Sequence, residues 1–240
     1  MNILVTGASK GLGLEICRVL LSQRYTVYAI SRSHTLEFEK LECMYKNQLF
    51  FKSVDLSNPD DIHKVVFKEF ILNSIPLHGF VNNAAVAYDD IVTNINLKKL
   101  ELMYRTNVYS PMLLTKYSIR NMIFNKVKGC IVHISSISAH TGYKGLAMYA
   151  SSKAAMEAFS KNTAREWGSF GIRSNVIVPG FMETTMSSTL TSEQKDRIYK
   201  RTSMKAATDI ISVAETVAFL LSEKAIAITG QSYHVDNGTI

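Results

Sequence analysis

An α/β fold is predicted for this chain: a doubly wound parallel sheet of about seven strands, helices on both faces, in a single domain. Two observations predict it. Strand-like and helix-like segments alternate throughout, and the chemically distinctive residues follow directly after the strand-like runs. Those runs are short and apolar: Ile3 to Thr6, Val27 to Ile30, Leu49 to Val54, Phe80 to Val81, Ile131 to Ile134, Val176 to Val178 and Ser232 to Val235. Parallel strands buried on both faces read in this way. Between the first two runs, Leu12, Ile16, Val19 and Leu20 recur at helical spacing, and further on Ile62, Val65, Val66 and Phe70 share a helical face. The start of the latter helix is marked by Ser57 or Asn58 as cap, Pro59 in the first turn, and Asp60 and Asp61 near the positive end of the dipole. Longer helical regions are expected around Leu97 to Lys126 and Gly145 to Trp167. No repeat, low-complexity tract or linker divides the 240 residues, so one domain is expected over 1–240, with a substrate loop at about 181–208.

Composition narrows the function classes. No stretch reaches the ~18 unbroken apolar residues of a membrane span, and nothing near Met1 reads as a signal peptide, so a cytoplasmic protein without a membrane partner is expected. Cys17, Cys43 and Cys130 have neither metal spacing nor a disulfide framework, and buried or semi-buried reduced thiols are expected. The six histidines show no ligand spacing, so no metal is expected. The net charge of +7 suits an anionic cofactor or substrate better than nucleic acid, because the lysines and arginines are scattered.

The residues after the first strand, Thr6-Gly7-Ala8-Ser9-Lys10-Gly11-Leu12-Gly13, lead directly into a helix. Glycines in such a turn let the backbone approach a pyrophosphate and present helix N-terminal N–H groups to it. A glycine-rich turn without a ligand is the alternative. The second strand ends in Ser31-Arg32-Ser33, where an NAD-binding fold would carry an acidic residue for the ribose hydroxyls. Arg32, with Lys10 inside the turn, instead suits a 2′-phosphate, which points to NADP(H).

After the fifth strand come Ser135 and Ser136, and the next helical region contains Tyr149-Ala150-Ser151-Ser152-Lys153. Four residues apart on a helix, Tyr149 and Lys153 share a face, so the ammonium is expected to lower the phenol pKa from its usual ~10 and suit it to proton transfer.

In order and spacing, these motifs resemble the short-chain dehydrogenase/reductase family in its compact single-domain, Rossmann-type branch. The resemblance spans the whole chain through the Thr6 to Gly13 turn, Asp55, Asn82-Asn83-Ala84-Ala85, Asn107, Ser136, Tyr149 with Lys153, and Asn175 to Pro179-Gly180. It implies that Tyr149 is general acid in reduction and base in oxidation, that Ser136 hydrogen-bonds the substrate oxygen, and that Lys153 lowers the tyrosine pKa and holds the nicotinamide ribose. Asn107 would position a water that relays protons to Lys153. Cofactor contacts are implied for Gly7, Ser9, Lys10, Gly11, Leu12, Gly13, Arg32, Asp55, Leu56, Asn82, Ala84, Tyr149, Lys153, Pro179, Met182 and Thr184. Ser135 competes with Ser136 for its role. Ala85 stands where the family usually has glycine, which is tolerable if the backbone there avoids positive φ.

Within the family the likeness is greatest to 3-oxoacyl-[acyl-carrier-protein] reductases, through Pro179 to Thr184, with Met186 just beyond, and through Ile228 to Gly238. This implies reduction of a small-molecule or carrier-bound carbonyl, with acyl carrier protein as a partner and a homotetramer or homodimer built on faces that include Met112, Leu113, Ala154 and Ala158. Reductases of sugars, polyols, steroids or aromatic carbonyls share the scaffold, and a non-enzymatic cofactor sensor is the reading from a different class. The carrier-docking arginines of the family align with Val127 and Phe170, flanked here by Lys126, Lys128 and Arg173. Trp167 and Phe159 are expected to pack, and His133 and His140 are not needed for chemistry.

Overall fold

A computed structural model describes residues 1–184 and 191–240. Among these, β1 (Asn2–Thr6), β2 (Thr26–Ser31), β3 (Leu49–Ser53), β4 (Gly79–Asn82), β5 (Cys130–Ile134), β6 (Arg173–Pro179) and β7 (Ser232–Val235) form one sheet in the order β3-β2-β1-β4-β5-β6-β7, parallel throughout. Strand order reverses between β1 and β4, so a crevice opens there at the carboxyl ends of the strands. Each apolar run of the sequence lies within a strand or within one residue of its end.

Helix α1 (Gly11–Ser22) buries Leu12, Ile16, Val19 and Leu20 as its spacing predicts. With α8 (Ile210–Leu221) and α2 (Leu36–Met44) it covers one face of the sheet, in a core that takes Ile3 and Val5 from β1. The intervening Leu4 points to the opposite core, beneath α3 (Ile62–Phe67) and α5 (Ser110–Phe124), because successive strand side chains alternate. Each fully buried Leu or Ile contributes roughly 1.5–3 kcal/mol relative to exposure. The register is therefore strongly specified.

Two local features differ from expectation. Pro59 opens a 3-10 turn, Pro59–Asp61, and α3 ends at Phe67, so Phe70 lies beyond the helix and reaches the same core by packing edge-on against Tyr28. The long region from 97 is one continuous rod of α4 (Leu97–Tyr104), a π-helical turn (Arg105–Tyr109) and α5. Such π turns recur at functional sites. The region from 145 contains α6 (Ala147–Trp167), whose Trp167 packs into the core while Ala154 and Ala158 face outward. Cys17 and Cys130 are buried, whereas Cys43 is exposed.

Candidate active site

At the end of β1, Gly7 adopts φ +63, and a Cβ there would lie 2.9 Å from the Ala84 Cα. Gly13, in the first turn of α1, approaches still more closely: its Cβ would fall 2.1 Å from the Gly7 carbonyl oxygen. Only glycine fits. Asn83 ties this turn to the end of β4, its Nδ2 donating to the Thr6 and Gly7 carbonyls at 3.0 and 3.2 Å. Thr6 Oγ1 accepts from the Asn83 and Ala84 N–H groups at 3.0 and 2.9 Å.

These strand ends open into a cleft of about 610 Å³, lined by Gly7, Lys10, Gly11, Leu12, Gly13, Arg32, Asp55 and Leu56 about the glycine turn and by Ser136, Tyr149, Lys153, Pro179 and Met182 beyond it, with Thr184 standing against Gly11. Ala84 lines the cleft against Gly7. Lys10 and Arg32 are exposed in the cleft and join no ion pair among the described residues. The cradle fits a dinucleotide: bare backbone at the helix start, cations at the β2 end, and a proton-active tyrosine at the far end.

Two expected cofactor contacts lie behind the wall rather than in it. Asn82 is buried, with Nδ2 3.2 Å from His133 Nδ1, and its neighbour Asn83 lines the cleft. Ser9 is buried with its hydroxyl 2.9 Å from that of Ser31. Asn82 misses the cleft because strand-end residues alternate in direction, whereas Ser9 in the turn is held by Ser31.

Ser135 and Ser136 are separated by the same alternation. Both border the cleft, but the buried Ser135 hydroxyl donates to Glu157, whereas Ser136 caps a short 3-10 turn, Ile137–Ala139. Ser136 Oγ accepts from the Ser138 hydroxyl at 3.0 Å and from its N–H at 3.2 Å. Its own proton is left to be donated into the cleft.

The Tyr149–Lys153 pair departs from the expected electrostatics. Lys153 Nζ lies 5.7 Å from the Tyr149 ring centroid and donates to the Ile134 carbonyl at 2.8 Å. Tyr149 is pushed up to about 12, by burial first and then by the Asp89 carboxylate. Lys153 is pulled down to about 8 by burial, against the opposing Glu157 carboxylate. The phenol therefore stays protonated in the protein alone.

Asn107 sits in the π turn with its side chain committed: Oδ1 accepts from the Val86 N–H at 2.9 Å, while Nδ2 donates to the Val86 carbonyl at 2.8 Å and to Ser152 at 3.1 Å. Among the described residues Oδ1 accepts a single hydrogen bond, so its second lone pair remains for the expected water. Ala85 has no positive φ, which removes the objection to a methyl there. Met186 and the 185–190 part of the expected substrate loop lie outside the described residues.

Asn83, Asp89, Tyr143, Lys144 and Arg201 also line the cleft and were not picked out from the sequence. Apart from Asn83, whose adjacency to Asn82 was a signal, they follow no motif. No group of three or more metal-capable side chains occurs among the described residues, and no described helix is long and apolar enough to cross a membrane.

A family model described as Enoyl-(Acyl carrier protein) reductase matches residues 7–239. This chain belongs to the short-chain dehydrogenase/reductase family. Among its relatives, 3-oxoacyl-[acyl-carrier-protein] reductase FabG of Buchnera aphidicola subsp. Schizaphis graminum is 34% identical over 236 residues, covering 98% of this chain and 95% of the relative. L-xylulose reductase of Caenorhabditis elegans is 32% identical over 242 residues, covering 99% and 94%. The structure of 4-hydroxyisoleucine dehydrogenase complexed with NADH superposes with a TM-score of 0.92 at 24% identity, covering 99% of this chain and 98% of that one. ElxO with NADP bound superposes at 0.86 and 27% identity, with the same coverage. The short-chain dehydrogenase/reductase described here is thus a nicotinamide-dependent oxidoreductase.

Proposed function

We propose that this short-chain dehydrogenase/reductase is a cytoplasmic, NADPH-preferring carbonyl reductase in which Tyr149 donates the proton. The observation that carries the reading is the convergence of Ser136, Tyr149 and Lys153 at one end of a cleft whose other end is the bare glycine turn with Lys10 and Arg32. When bound, the nicotinamide supplies the hydride. The Ser136 hydroxyl donates to the carbonyl oxygen and stabilises its developing charge. Tyr149, held as a phenol, transfers its proton to that oxygen as the hydride reaches carbon, and in oxidation it would take the proton back. Lys153 keeps one N–H on Ile134 and turns the others toward the phenol and the ribose. Gly7, Gly11, Leu12 and Gly13 hold the pyrophosphate side, Asp55 and Leu56 the adenine side, and Ala84, Pro179, Met182 and Thr184 the nicotinamide side. Asn107, through the π turn, is proposed to organise water behind Lys153. NADPH oxidation measured over thioester, sugar and aromatic carbonyls tests the reading, and no turnover on any of them would refute it.

The finer reading is reduction of a 3-oxoacyl thioester on acyl carrier protein, supported by the FabG relatives. Of the three flanking cations, Arg173 is committed to the Ile228 and Ser222 carbonyls, which leaves the exposed Lys126 and Lys128, the latter packed against Gly171 next to the exposed Phe170. These residues precede β5 and β6, whereas the cleft lies at the strands' carboxyl ends, roughly 17 Å away along a five-residue strand. A carrier docked there would serve a neighbouring subunit, consistent with the proposed homotetramer or homodimer. Exposed Leu102, Tyr109, Ile123 and Phe124 along α4 and α5, with Ala154 and Ala158 on α6, offer the apolar faces for it. Lys126→Glu with Lys128→Glu should raise KM for the carrier-bound substrate while leaving a small thioester mimic unaffected.

A second reading, a small polar carbonyl such as a sugar or polyol, is favoured by a different observation. Asp89, which faces Tyr149, and Lys144 and Arg201 line the cleft, and none joins an ion pair among the described residues. The carbonyl screen separates the two readings.

A further inference from the structure

Glu157 is a carboxylate only 8% exposed. A buried charge of this kind has to be met by donors. Among the described residues, both of its donors come from the segment that carries Ser136. The Ser135 hydroxyl donates to Oε1, and His140 Nε2 lies 3.0 Å from the carboxylate. A carboxylate accepts, so the ring nitrogen bears the hydrogen.

The placement of the two donors matters more than their number. Ser135 immediately precedes Ser136, and His140 is the C-cap of the 3-10 turn that Ser136 opens. A single carboxylate therefore grips both ends of the turn. Glu157 stands on α6 one turn beyond Lys153 and two beyond Tyr149, so the grip connects the turn to the helix carrying both groups. On its far side, His140 is braced edge-on against His234 of β7, with ring centroids 4.7 Å apart.

We propose that Glu157 is a positioning residue for the reaction: by bridging Ser135 and His140, its carboxylate fixes the Ser136 turn at its working distance from Tyr149 and Lys153. This rests on the reading that Ser136, Tyr149 and Lys153 act together on a carbonyl. A displacement of about 1 Å in such a constellation costs on the order of 100-fold in rate. Glu157 also opposes the burial that pulls Lys153 down to about 8. The other titratable groups facing Lys153 are Tyr149 from its own helix and His133 from β5. Without the carboxylate, Lys153 loses its proton at a lower pH.

Glu157→Gln keeps the volume and one acceptor oxygen but removes the charge. It should lower kcat roughly 10- to 100-fold with KM for NADPH unchanged within two-fold on the same scale, and it should move the alkaline limb of the pH profile downward. His140→Gln, which retains a donor, should keep more activity than His140→Ala. In the protein without cofactor, the amides of Ala139, His140 and Thr141, which bond to Ser136 and Ile137 carbonyls, should exchange hydrogen faster in Glu157→Gln than in wild type. Circular dichroism checks that the variants fold, and Ser135→Ala serves if Glu157→Gln does not. Wild-type exchange together with an unmoved pH limb would overturn the proposal. If wild type reduces no carbonyl, the functional reading fails while the exchange experiment still decides whether Glu157 holds the turn.

Discussion

At the glycine-turn end of the cleft the wall is largely backbone. Gly7 and Gly13 leave no room for a Cβ, and Asn83 ties the turn to β4 through main-chain carbonyls. At the Tyr149 end the wall is side chains: Ser136, Tyr149 and Lys153, with Asp89 facing the tyrosine. Backbone recognises what every member of the family binds, whereas side chains can be exchanged without disturbing the sheet. This contrast accounts for FabG and L-xylulose reductase being about equally similar to the chain. The fold is shared, and on the proposed reading the cofactor is held at the glycine turn and the substrate is decided at the other end.

The sharpest test of the side-chain end is Tyr149→Phe, which removes one oxygen and little volume. Turnover should fall by about 10²- to 10⁴-fold, while NADPH titration by fluorescence shows affinity close to wild type. A kcat within a few-fold of wild type would take Tyr149 out of the reaction. At the backbone end, Gly13→Ala should do the opposite. Its methyl has no space beside the Gly7 carbonyl oxygen, so the turn must shift at a cost of about 1–3 kcal/mol, seen as a lower Tm and weakened binding of both cofactors. Undiminished binding would mean that the turn is looser than its geometry.

Arg32→Asp probes side-chain selection within the backbone end. Loss of a charge-assisted contact worth about 1.5–3 kcal/mol should lower kcat/KM for NADPH roughly 10- to 100-fold on the same scale, with little change for NADH. If wild type uses both cofactors equally, the assigned role of Arg32 falls. The smallest effects concern pH. In the proposed mechanism Lys153 acts as an ammonium, and because its pKa is lowered to about 8, kcat/KM should decline as pH rises through about 8, where the free enzyme loses that proton. Tyr149, raised to about 12, stays protonated across this range. Asp89→Asn removes one cause of that elevation and should move the tyrosinate titration to lower pH while leaving the lysine limb in place.

The order of strands and helices was legible in the sequence because apolar runs and helical spacing report burial, and burial is what the sheet enforces. The glycine turn, Arg32, Ser136, Tyr149 and Lys153 were legible for a related reason: each follows a strand or lies on one helix, so local spacing already places it. Tertiary structure alone decided which way each of two adjacent side chains is committed. Asn83 replaces Asn82 in the cleft, and Ser135 turns to Glu157 while Ser136 does not, since one step along extended backbone reverses the side chain. It also decided the charge states. Spacing alone puts an ammonium near a phenol and predicts a lowered tyrosine pKa, but desolvation depends on everything packed around the pair, and it carries Tyr149 up and Lys153 down. Asp89, His140, Glu157 and Arg201 come from segments far apart in the chain, and only folding brings them to the same cleft and turn.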